Sequence, residues 1–187
     1  MPNKKINDKK LLLVDINYFK LIGEKFLESA ELLSKQNNFQ NHIYSFNLLI
    51  SQAIEILGKS VIAIKILVES NESKEEILKN KINKKLISLN HKLDEIFKEL
   101  PKIKSQLNIV KVELFENQFL KEYRFEINNT DNKKSLVIIK DLEGARYGSL
   151  ASSKDVLVIN NSNDVLQFMN KYKEEVNRLY EKYKAKI

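Results

Sequence analysis

The 187 residues include no cysteine and no tryptophan, only two prolines and four glycines, and just two histidines, His42 and His91. Without cysteine there is no disulfide framework, no thiolate zinc site and no cysteine nucleophile. So few glycines and prolines argue against a sandwich or barrel, whose turns recur every about 8–12 residues, and favour long helices. Gly23, Gly58, Gly144 and Gly148 lie apart, so no glycine-rich loop is available to cradle a phosphate. Gly58-Lys59-Ser60 matches the tail of such a loop in letters only, because Ala53–Leu57 before it are helix formers in an apolar run. Only three of the 32 cationic residues are arginine: Arg124, Arg146 and Arg178. Arginine is the side chain that forks onto phosphates and base edges, so the basic excess is one of point charges.

The chain has material for one compact domain. A chain of this length buries roughly 70% of its unfolded surface, and 43% hydrophobic residues argue against intrinsic disorder. A net charge of +7 and a pI of about 9.3 suit a polyanionic partner such as nucleic acid, but an excess carried almost wholly by lysine reads first as a generally solvated basic surface, with RNA or a nucleotide as candidate partners. Met1-Pro-Asn-Lys-Lys carries charge but no apolar run follows it, so no secretory signal is read and a cytoplasmic location is expected. Residues 1–9 are expected to be a flexible N-terminus ahead of a single domain at 10–185.

Helical spacing of apolar residues recurs along the chain. Leu12, Ile16, Phe19, Ala30 and Leu33 mark a first helix, and Asn37, Asn38 and Asn41 a polar break. From His42 to Val68 the chain is apolar on nearly every side, which reads as a helix surrounded by neighbours. The length would suit a membrane span, but Glu55, Lys59 and Lys65 fall inside it at a cost of a few kcal/mol each, so no membrane span is expected. Ser73 and Glu76 have capping-box spacing, and residues 73–100 form one helix or two. Ile103, Leu107, Val110, Leu114 and Tyr123 continue a helical pattern to about residue 127. The run at 136–139 is strand or helix, with helix preferred because Ser135 can cap it. Val156–Ile159 reads as extended loop. Val165, Phe168, Met169, Tyr172, Val176 and Leu179 define a last helix. The sum is an all-α, up-and-down helical bundle of five to six helices.

Neither histidine has a second histidine at i+4, and His91 three residues before Asp94 is the weakest kind of metal hint. No metal or cofactor is expected. Three short constellations remain: Glu55 and Lys59 one turn apart on the second helix, Asn90-His91-Lys92-Leu93, and Arg146-Tyr147-Gly148 ahead of the last helix. In order and spacing they resemble the HEPN domain, an all-helical family of prokaryotic toxin–antitoxin and phage-defence systems. The resemblance implies ligand-binding roles for Glu55, Lys59, His91, Arg146 and Tyr147. It also implies a homodimer and a protein partner encoded nearby. Lys92 stands where the family has Asp, Gly148 where it has Pro, and no arginine precedes either histidine as in the family's ribonucleases. The chain therefore resembles the branch without that motif, and a non-catalytic binding module is expected. The alternative is a metal-independent endoribonuclease in which His91, with Lys84, Lys85 or Arg146, acts on RNA by general acid–base catalysis through a 2′-hydroxyl.

Overall fold

A computed structural model describes residues 2–72, 74–116, 121–128, 134–140 and 162–187. Helix α1 (Pro2–Ser34) runs through the stretch expected to be a flexible lead-in and is followed by a 3₁₀ turn at Phe39–His42 and helix α2 (Ile43–Glu69). Helices α3 (Glu75–Leu89), α4 (Leu93–Glu99) and α5 (Pro101–Gln106) come next. Strands β1 (Ile109–Glu116), β2 (Lys121–Asn128) and β3 (Lys134–Lys140) lead to the last helix, α6 (Ser162–Lys184).

Helix α2 is the spine. Every residue from Leu57 to Ile64 is buried, because α1, α3, α4, α6 and β3 all pack on it. Two glycines set the closest approaches. A Cβ at Gly23 on α1 would lie 2.9 Å from Leu57 Cγ, and one at Gly58 would lie 2.6 Å from Ile96 Cγ2 and 2.7 Å from the Tyr172 hydroxyl. The bare backbone at Gly58 is what lets that hydroxyl donate to the Ile54 carbonyl at 2.9 Å, tying α6 to the middle of α2.

The expected all-α bundle is incorrect, since β1, β2 and β3 form an antiparallel sheet in that order. The helix expected from Ile103 to residue 127 ends at Gln106, and the preferred helix at 136–139 is strand β3. The physical reason lies in the spacing. Tyr123, Phe125 and Ile127 alternate with Glu122, Arg124 and Glu126, a period of two that places one set on each face. Tyr123 sits between Leu114 and Ile139, and Phe125 between Val112 and Val137, so apolar side chains line up across one face. Phe125 is fully buried and meets Phe97 of α4 edge-on, with the Phe168 ring of α6 at the same 5.3 Å centroid distance. Ring packing of this kind contributes about 0.5–1.5 kcal/mol per pair beyond area and joins sheet to helices in one core. On the other face Arg124 bonds Glu122 at 3.0 Å and lies 3.7 Å over the Phe115 ring.

The 73–100 stretch is two helices, broken at Asn90–Lys92. The N-cap of α3 is Lys74, whose N–H donates to Glu72 Oε1 at 3.0 Å; Ser73 lies outside the described residues, as do Val156–Ile159. Burial pushes the hydroxyls of Tyr172 and Tyr180 well above the ordinary phenol range. A raised folded-state value means the neutral form stabilises the fold fully below the unfolded value of about 10, and that contribution is lost as pH rises further. Alkaline titration by ultraviolet absorbance should show these two phenols ionising only with loss of helical circular dichroism. Their ionisation in the folded protein with the exposed tyrosines would contradict the packing of α6.

Candidate functional site

Glu55 and Lys59 are one turn apart on the buried spine, and the helix puts both on one side. Lys59 Nζ donates to Glu55 Oε1 at 2.7 Å, and Glu55 Oε2 lies 2.8 Å from Nδ1 of His91, 36 residues further along the chain. The two helix side chains are 9% and 10% exposed, whereas that of His91 is 58% exposed. The cluster thus leads from the core to the surface. Burying two charges costs several kcal/mol per ion unless geometry and further hydrogen bonds offset it, and here each carboxylate oxygen has a donor. An ionised carboxylate has no proton to give, so the neutral imidazole carries its hydrogen on Nδ1, and its other nitrogen, Nε2, keeps a lone pair.

The backbone of His91 is fixed as well. The Tyr123 hydroxyl of β2 donates to its carbonyl at 3.2 Å. Lys92 N–H bonds the Leu89 carbonyl at 3.1 Å, with Asn90 at φ 45° and ψ −135°. These values make a type II′ turn, whose second position favours glycine. A non-glycine residue there stores strain of about 1–3 kcal/mol, next to the one exposed ring of the cluster. Asn90→Gly is therefore expected to raise stability by about 1 kcal/mol. Thermal melts check it, and a lower midpoint would mean that the asparagine is not strained.

Along the sequence leading into this turn the charge is one-sided. Between Glu76 and Asp94 there is no carboxylate, while Lys79, Lys81, Lys84, Lys85 and Lys92 lie in that interval with Asn80, Asn83 and Asn90. All but Lys85 are exposed. Lys85 Nζ is bound to Glu99 Oε1 at 2.6 Å and not to His91. Beyond the interval, Lys98 donates to Glu95 and holds that carboxyl below its ordinary range, with Lys92 and Lys85 adding to the pull.

The structure therefore brings together Glu55, Lys59 and His91, and places Lys84 on the exposed side of α3. Arg146 and Tyr147 lie outside the described residues. Sequence reasoning missed Tyr123, which was counted on a helical stripe, and the acid-free interval, which a charge count along the chain displays. Among the described residues no group of side chains is arranged to hold a metal ion, and no helix is long and apolar enough to cross a membrane. Comparison with protein-family models, with curated proteins and with solved structures returned no match.

Proposed function

We propose that the chain is a non-catalytic binding module for RNA, HEPN-like in its helical part, with the exposed lysines of the acid-free stretch of α3 and the His91 turn as the contact surface. The observation that carries this reading is the interval from Ile77 to Leu93, where exposed lysines and asparagines occur with no carboxylate among them. Lysines spaced along a helix suit the phosphate backbone, which takes point charges, better than base edges, which need arginine or amide forks. The resemblance to HEPN is supported by the convergence of Glu55, Lys59 and His91. The sheet between α5 and α6 is an addition to that all-helical pattern. The setting that fits is cytoplasmic, in a defence or toxin–antitoxin system with a protein partner encoded nearby.

The test is binding of labelled single-stranded RNA across a salt series. Each lysine contacting phosphate contributes about 0.7 to the slope of log affinity against log salt. Lys79→Gln, Lys81→Gln and Lys84→Gln combined should lower the slope by about 2 and weaken binding alike for all sequences. A slope unchanged in the triple variant would place the contact elsewhere.

One observation favours the alternative, a metal-independent endoribonuclease. A carboxylate that fixes the Nδ1 hydrogen and leaves Nε2 as acceptor is the arrangement of a general base. Against it, the contacts of the described residues direct Lys59 to Glu55 and Lys85 to Glu99. RNA incubated with the protein in EDTA should stay intact, and cleavage that disappears in His91→Ala would reverse the preference.

For the proposed homodimer the support is on α1. Leu11, Val14, Tyr18 and Leu21 follow at steps of three and four and are 58%, 63%, 66% and 44% exposed, an apolar stripe of the coiled-coil kind. Light scattering after size exclusion should give a dimer mass that Val14→Glu with Tyr18→Glu reduces to a monomer; a monomer in the wild type would remove the proposal.

A further inference from the structure

The sheet has an open edge at β1. Its order is β1-β2-β3, and among the described residues no backbone group outside β2 bonds residues 110–116. Val110, Lys111, Glu113, Leu114 and Glu116 are exposed. An unpaired edge is a template for a further strand unless a lysine, a bulge or a covering element blocks it. The bulge here lies at the start of the strand, between Ile109 and Lys111, and the register with β2 is regular from 111 to 116. Lys111 is then the residue that decides whether the edge is blocked.

Lys111 and Glu113 are two residues apart, on the face of the sheet away from Phe125, and their side chains meet at 2.8 Å. Across the ladder Lys111 stands opposite Glu126 and Glu113 opposite Arg124, so on the paired side each charge faces its opposite. The open side offers the same alternation to a neighbour. Antiparallel pairing of two copies with their sheet faces aligned is centred on one residue, and that residue fixes every other pair. Centring on Lys111 or on Glu113 sets like charges directly opposite, which is destabilising. Centring on Leu114 sets Val112 opposite the copy's Glu116. Centring on Val112 sets Lys111 opposite the copy's Glu113, Glu113 opposite its Lys111, and the exposed Val110 opposite its exposed Leu114. In that register the lysine does not block the edge but selects the pairing.

We propose that β1 is a homotypic interface, in which the edges of two copies pair antiparallel about Val112 and join two three-stranded sheets into one of six strands. The inference stands on the edge alone and depends neither on the lysines of α3 nor on the apolar stripe of α1. A single strand pair is smaller than a stable interface of roughly 1,200–2,000 Å², so this contact acts between copies already concentrated, while the α1 stripe sets the mass in dilute chromatography. A chain with both contacts has two separate two-fold interfaces, and pairs formed through α1 are joined through β1 into larger assemblies.

The experiment uses charge variants of the full chain in the Val14→Glu with Tyr18→Glu background, which removes pairing through α1. Lys111→Glu leaves two acids in the paired stretch and Glu113→Lys leaves two bases, so each variant repels its own copies and attracts the other. At the concentrations of NMR samples, sedimentation equilibrium should show dimers of the protein with the unaltered edge. Either variant alone should associate at least tenfold more weakly, and an equimolar mixture of the two should recover the association, all with unchanged circular dichroism. The register is read with the unaltered charges by Val112→Cys, which introduces the sole thiol of the chain. Under oxidised glutathione it should give a disulfide-linked dimer at least tenfold faster than Leu114→Cys, whose counterpart is Val110. Absence of dimers with the unaltered edge, variants that self-associate as well as it does, a mixture no stronger than its components, or equal linking at the two thiols would overturn the assignment. The α1 and α3 substitutions are separate from those in β1, so failure here is distinguishable from failure of the α1 dimer or of the RNA-binding reading.

Discussion

Replacing Glu55 with leucine is expected to destabilise the protein by about 3–5 kcal/mol, the cost of leaving a buried charge without its partner. The substitution removes the acceptor of Lys59, whose side chain is 10% exposed, and the acceptor of the His91 ring at the same time. In a chain of this size the thermal midpoint should fall by roughly 6–20 °C, taking about 2–4 °C per kcal/mol. The double variant Glu55→Leu with Lys59→Leu should recover most of the loss, because apolar groups of similar volume in place of a buried ion pair are often neutral or stabilising. Chemical denaturation of the four proteins of the cycle checks both parts. A loss of only about 0.3–0.5 kcal/mol, the worth of an exposed pair at this spacing, would mean that the cluster is not buried in solution.

The second large effect is at Gly58. Alanine there is favoured over glycine by helix propensity by about 1 kcal/mol, yet Gly58→Ala is expected to destabilise by about 2–3 kcal/mol. Its Cβ would meet Ile96 Cγ2 at 2.6 Å and the Tyr172 hydroxyl at 2.7 Å. The tyrosine must then give up its bond to the Ile54 carbonyl or α6 must move away from α2. Tyr172→Phe keeps the ring and removes only the bond, so it should cost about 1–2 kcal/mol; in that background Gly58→Ala should cost less than in the wild type. Equal costs in the two backgrounds would show that glycine and hydroxyl do not interact.

The spine was legible because its apolar residues leave no polar side, and Glu55 with Lys59 could be placed on it from spacing alone. That His91 joins them was suggested only by resemblance. No local pattern connects residues 55 and 91, since their contact depends on how α3 and α4 fold back over α2. The sheet was misread for a different reason. Val110, Leu114 and Tyr123 fit a helical stripe when picked singly, while the alternation in Glu122–Ile127, read whole, fits only a strand. The run at 136–139 has the β-branched content of a strand, and Ser135 as a possible cap outweighed it.

Glu55 reaches from the buried spine to orient the exposed His91 ring, which is where core and contact surface join. Nitrogen-15 correlation spectra of the two histidine side chains, recorded with both imidazoles neutral, test this directly. His91 should be in the Nδ1–H tautomer in the wild type and should shift toward the Nε2–H tautomer, the ordinary preference of a free imidazole, in Glu55→Gln, while His42 stays unchanged. A His91 ring already in the Nε2–H form in the wild type would contradict the link between Glu55 and the surface.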